Sequence, residues 1–391
     1  MKKKKLLAIN INEFNIDFLK KGAKKYNCKN ILKFLKLRSI KTYSVDKEQD
    51  KNLDPWVQNI SINTGRKSSN HKIFNLGEKI PSSTFQIWDL LSKKKLHCAI
   101  WSPMNTTFKD NKYIKLFVPD PWNYENKVKP PELKKIYKLP REYAQNYTNF
   151  KIYKNFKIII SFIYFIVSTG SFFYLTKKIP FYLSILLKRG VKNYFLFFLF
   201  DIISLIIFQR KTSNIKINFS LIFLNSLAHF QHNNWDDESF HKDYFLFSDQ
   251  IFGIIFDIGK NYDTWILYNG FSQVKIKREF LIRPKNPKKF FTNIGIRFKK
   301  HHSNMTNGAI LNFKNSKDFN EAIYKLKNYN IFGYKFFQIK ILKNNQVFVR
   351  VQVRSTNNIK KEDVIKKFDF SKIFFYEKKN KKLKKKINKD I

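Results

Sequence analysis

The chain has 391 residues and a net charge of +47, and 43% of its residues are hydrophobic. This length and apolar content suit a large α/β domain with additions. The lysines are spread along the whole chain without an RNA-recognition, zinc-finger or KH motif, so we expect no specific nucleic-acid binding. Two cysteines, Cys28 and Cys98, exclude a disulfide framework and a CxxC metal pair.

The first 150 residues alternate predicted strands and helices. A short apolar run predicts a strand at Leu6–Ile11, and its interruption at Asn10 makes it too short for a signal-peptide core, which indicates a cytoplasmic protein. Asp54 and Pro55 suit the N-cap and first position of a helix that ends at Gly65. The other predicted elements are helices up to about Lys25, at Ile31–Leu37 and at Ser83–Lys93, and a strand at Leu96–Trp101.

Residues 151–211 are strongly hydrophobic. Ile158–Thr176 contains no charged residue, and Tyr194–Phe208 contains one, Asp201. We expect a helical insertion that packs on itself or lies on a membrane surface, with flanking lysines at the lipid headgroups. A transmembrane hairpin is the alternative, because the first run is about long enough to cross a bilayer.

The stretch Ile215–Trp235 is the centre of the predicted fold. Its apolar residues first alternate with polar ones and then run unbroken to Leu224, which predicts a strand buried in a parallel sheet. The ligand-type side chains that follow are Asn225, His229, Gln231, His232, Asn233, Asn234 and Asp236. Because open α/β sheets place their sites beyond the carboxyl ends of strands, we expect the functional site here.

The remaining elements continue to the C-terminus. They are a helix at Ser248–Gly259 capped by Ser248, strands at Thr264–Tyr268 and Ala309–Phe313, a helix at Phe319–Asn328, a hairpin of Phe336–Leu342 and Val347–Val353, and a lysine-rich tail from Lys378.

Polar residues at several strand ends form a candidate metal site. Those expected to converge at one edge of the sheet are Glu13, Asn225, Asn269 and the loop at His301 and His302. Histidine with carboxylate suits zinc, whereas carboxylate or carbonyl oxygen suits magnesium or manganese. Such a cation neutralises phosphate oxygens and activates the attacking group, so the pattern favours phosphoester chemistry. The alternatives are that His229 and His232 form a packed polar network and that His301 and His302 lie in a surface loop.

Four short motifs stand along the chain: LDPWVQ at Leu53–Gln58, LGE at Leu76–Glu78, PDPW at Pro119–Trp122 and AHxxH at Ala228–His232. In these motifs and in the order of its segments, residues 5–315 resemble the alkaline phosphatase superfamily, in its type I phosphodiesterase and nucleotide pyrophosphatase branch. The resemblance is nearest to a group of bacterial proteins that carry the same motifs. It implies a three-layer α/β/α sandwich and a metal-dependent hydrolase.

The resemblance also implies metal ligands. The aspartate-x-x-x-histidine pair of the family falls on Asn225 and His229, where an amide replaces the acid. The late histidine of the family falls on His302 or the histidine before it. Its first-strand aspartate falls on or near Glu13, in a second and weaker metal position. These matches imply one cation held by Asn225, His229 and His302, with His232 as a helper.

Two catalytic positions of the family are changed. The nucleophilic Ser or Thr would fall near Pro55, which leaves Asp54 as a candidate in its place, unless Asp54 only caps the helix. The aspartate-histidine pair after the last core strand would fall on Asn269 and Gly270, so its histidine is absent. Hydrolysis through a covalent phospho-enzyme is therefore in doubt.

Aromatic side chains suggest how a substrate is held. Trp56, Trp101, Trp122 and Trp235 lie in predicted loops at strand ends, where indole rings can stack on sugars or bases. Packing of the domain edge is the alternative for each of them. The candidates for supporting the ligands or contacting substrate are His232, Asn269, Trp56, Trp122 and Trp235.

The predicted organisation is an α/β domain over 1–150 and 212–315, the insertion at 151–211, a C-terminal α+β hairpin element at 316–377 and the tail at 378–391. The predicted function is a phosphoester or sulfate-ester hydrolase, or a phosphoryl transferase, that uses Zn, Mn or Mg. Its substrate would be a phosphorylated or sulfated small molecule or glycan of the cell envelope, with peripheral inner-membrane association as an option. The alternative is a catalytically degenerate binding or scaffold protein.

Overall fold

The computed structural model describes residues 4–44, 46, 54–123, 125, 127–146, 150–177, 179–190, 193–235, 237–273, 278–284, 286–303, 308–331, 333–342, 345–352 and 374–380. These residues form two compact units. The first unit contains the described residues up to Leu139 and from Phe156 to Gln273. The second contains those from Pro140 to Asn155 and from Arg278 onward.

A parallel sheet lies at the centre of the first unit. Its strands are β1 (Leu6–Ile11), β2 (Cys98–Trp101), β3 (Ile114–Val118), β4 (Phe219–Leu224) and β5 (Thr264–Tyr268). Their order is β3-β2-β4-β1-β5, and every neighbouring pair is parallel. This confirms the α/β class and the four predicted strands, although β4 begins at Phe219 instead of Ile215. β3 was missed, because its apolar residues lead directly into a proline-rich turn.

Helices lie between these strands along the chain. They are α1 (Ile16–Lys25), α2 (Lys29–Phe34), α3 (Pro55–Thr64), α4 (Ser68–His71), α5 (Ile87–Lys93), α6 (Lys134–Asn146), α7 (Phe156–Ser168), α8 (Ser171–Thr176), α9 (Ile179–Arg189), α10 (Asn193–Ser213), α11 (Ser226–Asn234) and α12 (Glu238–Gly259). One of them, α6, continues into the second unit. The predicted insertion is thus helical. No helix among the described residues has the combined length and hydropathy that a bilayer crossing requires.

Local signals in the sequence explain several helix ends. α3 follows Asp54 and Pro55 and ends at Gly65 in the left-handed conformation, as predicted, although the Asp54 side chain makes no capping hydrogen bond. The predicted cap of α12 at Ser248 is wrong, because α12 starts ten residues earlier, after Asp237. Ser248 lies inside the helix and its hydroxyl donates to the Tyr244 carbonyl at 2.7 Å.

Two apolar clusters cover the opposite faces of the sheet. Leu7 and Ile9 of β1 belong to the larger cluster, which includes residues of α1, α2, α10 and α12. Ala8 belongs to the other cluster, together with Trp88 of α5. Because successive strand residues point to opposite faces, this division places helices on both sides of the sheet.

The second unit is built around antiparallel strands. Its elements are β6 (Arg278–Pro284), α13 (Pro287–Asn293), β7 (Lys300–Ser303), β8 (Gly308–Asn312), α14 (Ser316–Asn328), β9 (Asn330–Ile331), β10 (Tyr334–Lys335), β11 (Phe337–Leu342), β12 (Gln346–Val351) and β13 (Phe374–Asn380). β11 and β12 form the predicted hairpin within a sheet of order β11-β12-β8-β7. β13 pairs with β6 and extends into the lysine-rich segment, of which 381–391 lie outside the described residues.

Both cysteines are buried in the first unit, which predicts slow alkylation. Burial raises the pKa of each thiol, Cys28 and Cys98, to about 12, so thiolate is scarce at neutral pH. We expect neither thiol to react with iodoacetamide in the native protein, and both to react within minutes in 6 M guanidinium, as measured by intact mass. Rapid labelling of the native chain would contradict this burial.

Candidate functional site

The carboxyl ends of β1, β4 and β5 lie side by side at one edge of the sheet. β1 is paired with β4 on one side and with β5 on the other, in parallel register. Because parallel strands end at the same edge, the residues that follow them emerge together. Glu13, Asn225 and Asn269 each follow one of these strands by one or two residues. These three predicted site residues are therefore brought to a common edge.

Glu13 is the buried carboxylate of this edge, with 1% of its surface exposed and a φ of 52°. Its Oε2 lies 3.2 Å from Nε2 of His232 and accepts a hydrogen bond from the side-chain amide of Gln273. Its carbonyl oxygen accepts a hydrogen bond from the side chain of Gln231 at 2.8 Å. These contacts offset the burial of the carboxylate and hold a left-handed conformation that costs a non-glycine residue about 1–3 kcal/mol.

Two buried glutamines hold this group together. Oε1 of Gln231 accepts hydrogen bonds from the Tyr244 hydroxyl and from the backbone N–H of Asn15, both at 3.2 Å. The Gln231 amide also donates to Oε1 of Gln273 at 3.2 Å, and the Gln273 amide lies 2.9 Å from Nε2 of His232. Sequence reasoning did not select Gln273, because it lies in an irregular segment after β5 that no motif marks.

Other amides at this edge are paired with one another. The side chain of Asn12 donates to Oδ1 of Asn225 at 2.7 Å, and that of Asn10 donates to Asn59 of α3. The side chain of Asn269 donates to a backbone carbonyl in the loop after β1 at 2.8 Å. Much of the polar surface predicted to bind a ligand thus also connects the strand ends.

α11 carries the predicted ligand His229 one turn after Asn225, whose carbonyl oxygen accepts the His229 backbone N–H at 3.2 Å. The His229 ring stacks on Phe197 of α10, with centroids 3.6 Å apart. The candidate Trp235 stacks on Phe18 of α1, with centroids 4.8 Å apart. Asp236 and the side chain of Asn233 lie outside the described residues.

Asp201 connects the hydrophobic insertion to this edge. Its Oδ2, on α10, accepts the backbone N–H groups of Asn225 at 3.0 Å and Ser226 at 2.8 Å, which are free donors at the start of α11. Burial raises the pKa of Asp201 to about 6, and the two backbone hydrogen bonds partly oppose that rise. The acid in the middle of the apolar run therefore positions α11.

The pKa of Asp201 predicts a pH dependence of stability. Between its ordinary pKa of 3.8 and about 6 the folded state binds the proton more tightly than the unfolded state, so this residue contributes less stability as pH rises. In Asp201→Asn this pH-dependent contribution to stability should vanish. Urea unfolding midpoints of the variant and the wild type at pH 4, 5, 6 and 7 would measure the difference. The exposed Asp257→Asn serves as the control. An unchanged pH profile in Asp201→Asn would contradict the assignment.

Asn105, which sequence reasoning did not select, joins three of the four motif segments. Its Oδ1 accepts the backbone N–H of Gly77 at 2.6 Å, and its amide donates to the carbonyl of Trp56 at 3.3 Å. Its own backbone N–H donates to Oδ2 of Asp120 at 3.1 Å. Burial raises the pKa of Asp120 to about 7. The LDPWVQ, LGE and PDPW segments, without the undescribed Leu53, are thus linked through one residue, by its side chain and its backbone N–H.

Replacing Asn105 should destabilise the first unit. Asn105→Ala loses the side-chain hydrogen bonds and leaves alanine at a φ of 51°, so we expect a loss of about 3 kcal/mol in the free energy of unfolding. Chemical denaturation measures this change. Asn70→Ala, at an exposed position of α4, is the control and should cost less than about 0.5 kcal/mol. Equal effects of the two substitutions would contradict the role of Asn105.

The predicted tryptophan platforms have different environments. Trp101 is the last residue of β2, within the predicted strand, and it is fully buried against Phe208, so it is not a platform for a substrate. Trp56 lies in α3, also not in a loop, and its indole N–H donates to the Phe74 carbonyl at 2.9 Å. Trp122 is half-buried in a turn and remains a candidate for stacking on a substrate.

His301 and His302 lie in the second unit. They were predicted in a loop, but they belong to β7, which pairs with β8. Burial lowers the pKa of both imidazoles, that of His301 to about 4, so both are neutral at pH 7. A neutral imidazole is the form that binds a metal, and the role of His302 as a ligand remains a prediction.

The edge offers a limited set of metal donors. Within the described ranges, no group of three or more His, Cys, Asp or Glu side chains is arranged to hold a metal ion. Glu13 and His232 supply two side chains of these types. The neighbouring donor atoms are amide oxygens. Carboxylate, imidazole and amide oxygen are all accepted by divalent cations, so the donor types fit one cation.

The chain has a distant structural neighbour but no match among family models or curated proteins. No protein-family model matches the chain, and no curated protein matches it in sequence. Among solved structures, murine ectonucleotide pyrophosphatase/phosphodiesterase 5 is similar at 9% sequence identity with a TM-score of 0.38, over 89% of this chain and 79% of that chain. A TM-score this low does not establish a common fold. The α/β architecture with its parallel sheet therefore rests on the strand pairing described above.

Proposed function

We propose that the carboxyl edge of the parallel sheet binds one divalent cation and acts on a phosphoester or sulfate ester. The observation that carries this proposal is the contact between the Glu13 carboxylate and the His232 imidazole, 3.2 Å apart, beyond adjacent parallel strands. Zn, Mn and Mg are the cations considered, and Asn225 and His229 remain proposed ligands. A cation bound here would supply charge for the ester oxygens and activate the attacking group.

The chain's own residues would prepare the site. Burial of Glu13 reduces the screening of its charge and so strengthens its attraction for a cation or for protonated His232. The Gln273 amide contacts both side chains and fixes their geometry. His232 is half-buried, so its ring is accessible from solvent at this edge.

The proposal includes a fold family and a substrate class. We infer an alkaline phosphatase-like sandwich of the type I phosphodiesterase branch, supported by helices on both faces of the sheet and by the linked motif segments. The substrate class is a phosphorylated or sulfated small molecule or glycan, for which half-buried Trp122 offers an aromatic surface. Asp54, at the start of α3, is the proposed substitute for the absent nucleophile.

A second candidate function is ligand binding without turnover. It is favoured by the amide pair of Asn12 and Asn225, whose polar groups satisfy each other at 2.7 Å. Neutral amides are weaker metal ligands than carboxylates, so an edge rich in them suits a polar ligand held by hydrogen bonds.

Histidine variants test the first candidate. We expect His232→Gln and His229→Ala to lower bound metal and p-nitrophenyl phosphodiester hydrolysis together, by about tenfold or more, as expected when a metal site is disturbed. His97→Gln is the matched control, because His97 precedes β2 at the opposite end of the sheet. Metal content is measured by mass spectrometry and hydrolysis by absorbance.

The outcomes separate the two candidates. Equal metal content in the wild type, His229→Ala and His232→Gln would contradict a cation site at this edge. Metal that falls with these substitutions but supports no hydrolysis would favour binding without turnover.

A further inference from the structure

The outer side of α7 is apolar, although it faces solvent. Phe162, Phe165 and Ile166 on one side of this helix are buried in the core. The exposed residues of the other side include Phe156, Ile160, Ile163, Tyr164 and Val167. A surface helix of a globular protein normally carries charged or polar residues at such positions. α7 thus has an exposed apolar face beside the one that it buries.

The next two helices repeat this arrangement. In α8, Phe173 is 71% exposed. In α9, Tyr182 and Ile185 are buried, whereas Leu183 and Leu187, one turn apart, are 50% and 80% exposed. Exposed apolar residues are common singly, but this concentration over three consecutive helices is typical of an interaction surface.

Positive charge accompanies these apolar residues. Lys157, Lys177 and Lys188 are exposed on or beside α7, α8 and α9, and residues 156–190 contain no acid. The ammonium group of Lys135 lies 5.2 Å from the ring centroid of exposed Tyr164. Long basic side chains beside apolar ones match the boundary between anionic headgroups and acyl chains.

The dimensions of the helices indicate how they meet a bilayer. α7 has 13 residues and α9 has 11. At 1.5 Å per residue they are about 20 Å and about 16 Å long, against a hydrocarbon core of about 30 Å. Each helix therefore suits a position within the interface.

We propose that the exposed sides of α7, α8 and α9, here called the insertion surface, bind an anionic lipid bilayer. The apolar side chains enter the boundary of the acyl chains, and the lysines and arginines contact lipid phosphates. This proposal concerns a surface separate from the Glu13 group and does not depend on the proposed chemistry. It gives the protein a location at a membrane through its own helices.

Vesicle co-sedimentation of the full chain tests this proposal. We expect the wild type to bind vesicles of equal phosphatidylglycerol and phosphatidylcholine at least about tenfold more tightly than phosphatidylcholine alone, and more weakly as salt rises. The variant I160Q/I163Q/V167Q should lose at least about tenfold in partitioning, because its apolar contacts are removed. Leu90→Gln, at a 48% exposed position of α5, is the matched control and should bind as the wild type does.

Further measurements make each result decisive. Circular dichroism and thermal unfolding establish whether the variants fold. L183Q/L187Q in α9 is the second variant, used if I160Q/I163Q/V167Q does not fold. Wild type that sediments with neither vesicle, or equal binding by the wild type and both folded variants, would overturn the proposal. A dimer in light scattering that the substitutions convert to monomer, without lipid binding, would assign the insertion surface to a second copy of the chain instead.

Discussion

The structure of the carboxyl edge depends on the burial of one carboxyl group, that of Glu13. A carboxylate removed from water costs several kcal/mol unless charged or hydrogen-bonding groups replace its hydration. Glu13 obtains these groups from His232 and Gln273, which lie more than 200 residues along the chain. The loops after β1 and β5 and the helix after β4 must therefore assemble together. Loss of the segment after β5 or of the helix after β4 leaves the carboxyl group without one of its two partners.

The same edge combines one ionisable pair with many amides. Asn225 stands where the resemblance places an acid, and its side chain accepts a hydrogen bond from Asn12. An amide in this position removes the repulsion that two neighbouring carboxylates would exert without a metal. The arrangement is consequently stable without a second negative charge. It lowers the electrostatic attraction for cations and limits the number that the edge can hold.

The sequence predicted the elements whose signals are local. β1 and β5 were placed at their observed bounds, and α3 was placed by Asp54, Pro55 and Gly65, because periodicity and capping residues determine such elements. The partners of Glu13 and the role of Asn105 were not predicted, since they depend on distant segments. The start of α12 was missed because Ser248 was interpreted as its N-cap, whereas the helix begins at Glu238. His301 and His302 were placed in a loop because β7 lacks a clear alternation of apolar and polar residues.

The hydrogen bonds of Asn105 give three of the sequence motifs a structural role. Its hydrogen bonds to Gly77, Trp56 and Asp120 tie together segments that are separated by up to 64 positions in the chain. In this structure each of those segments is held to the others through that one residue. A substitution at Asn105 would therefore be felt in all three segments at once, whereas the group around Glu13 has its own set of partners.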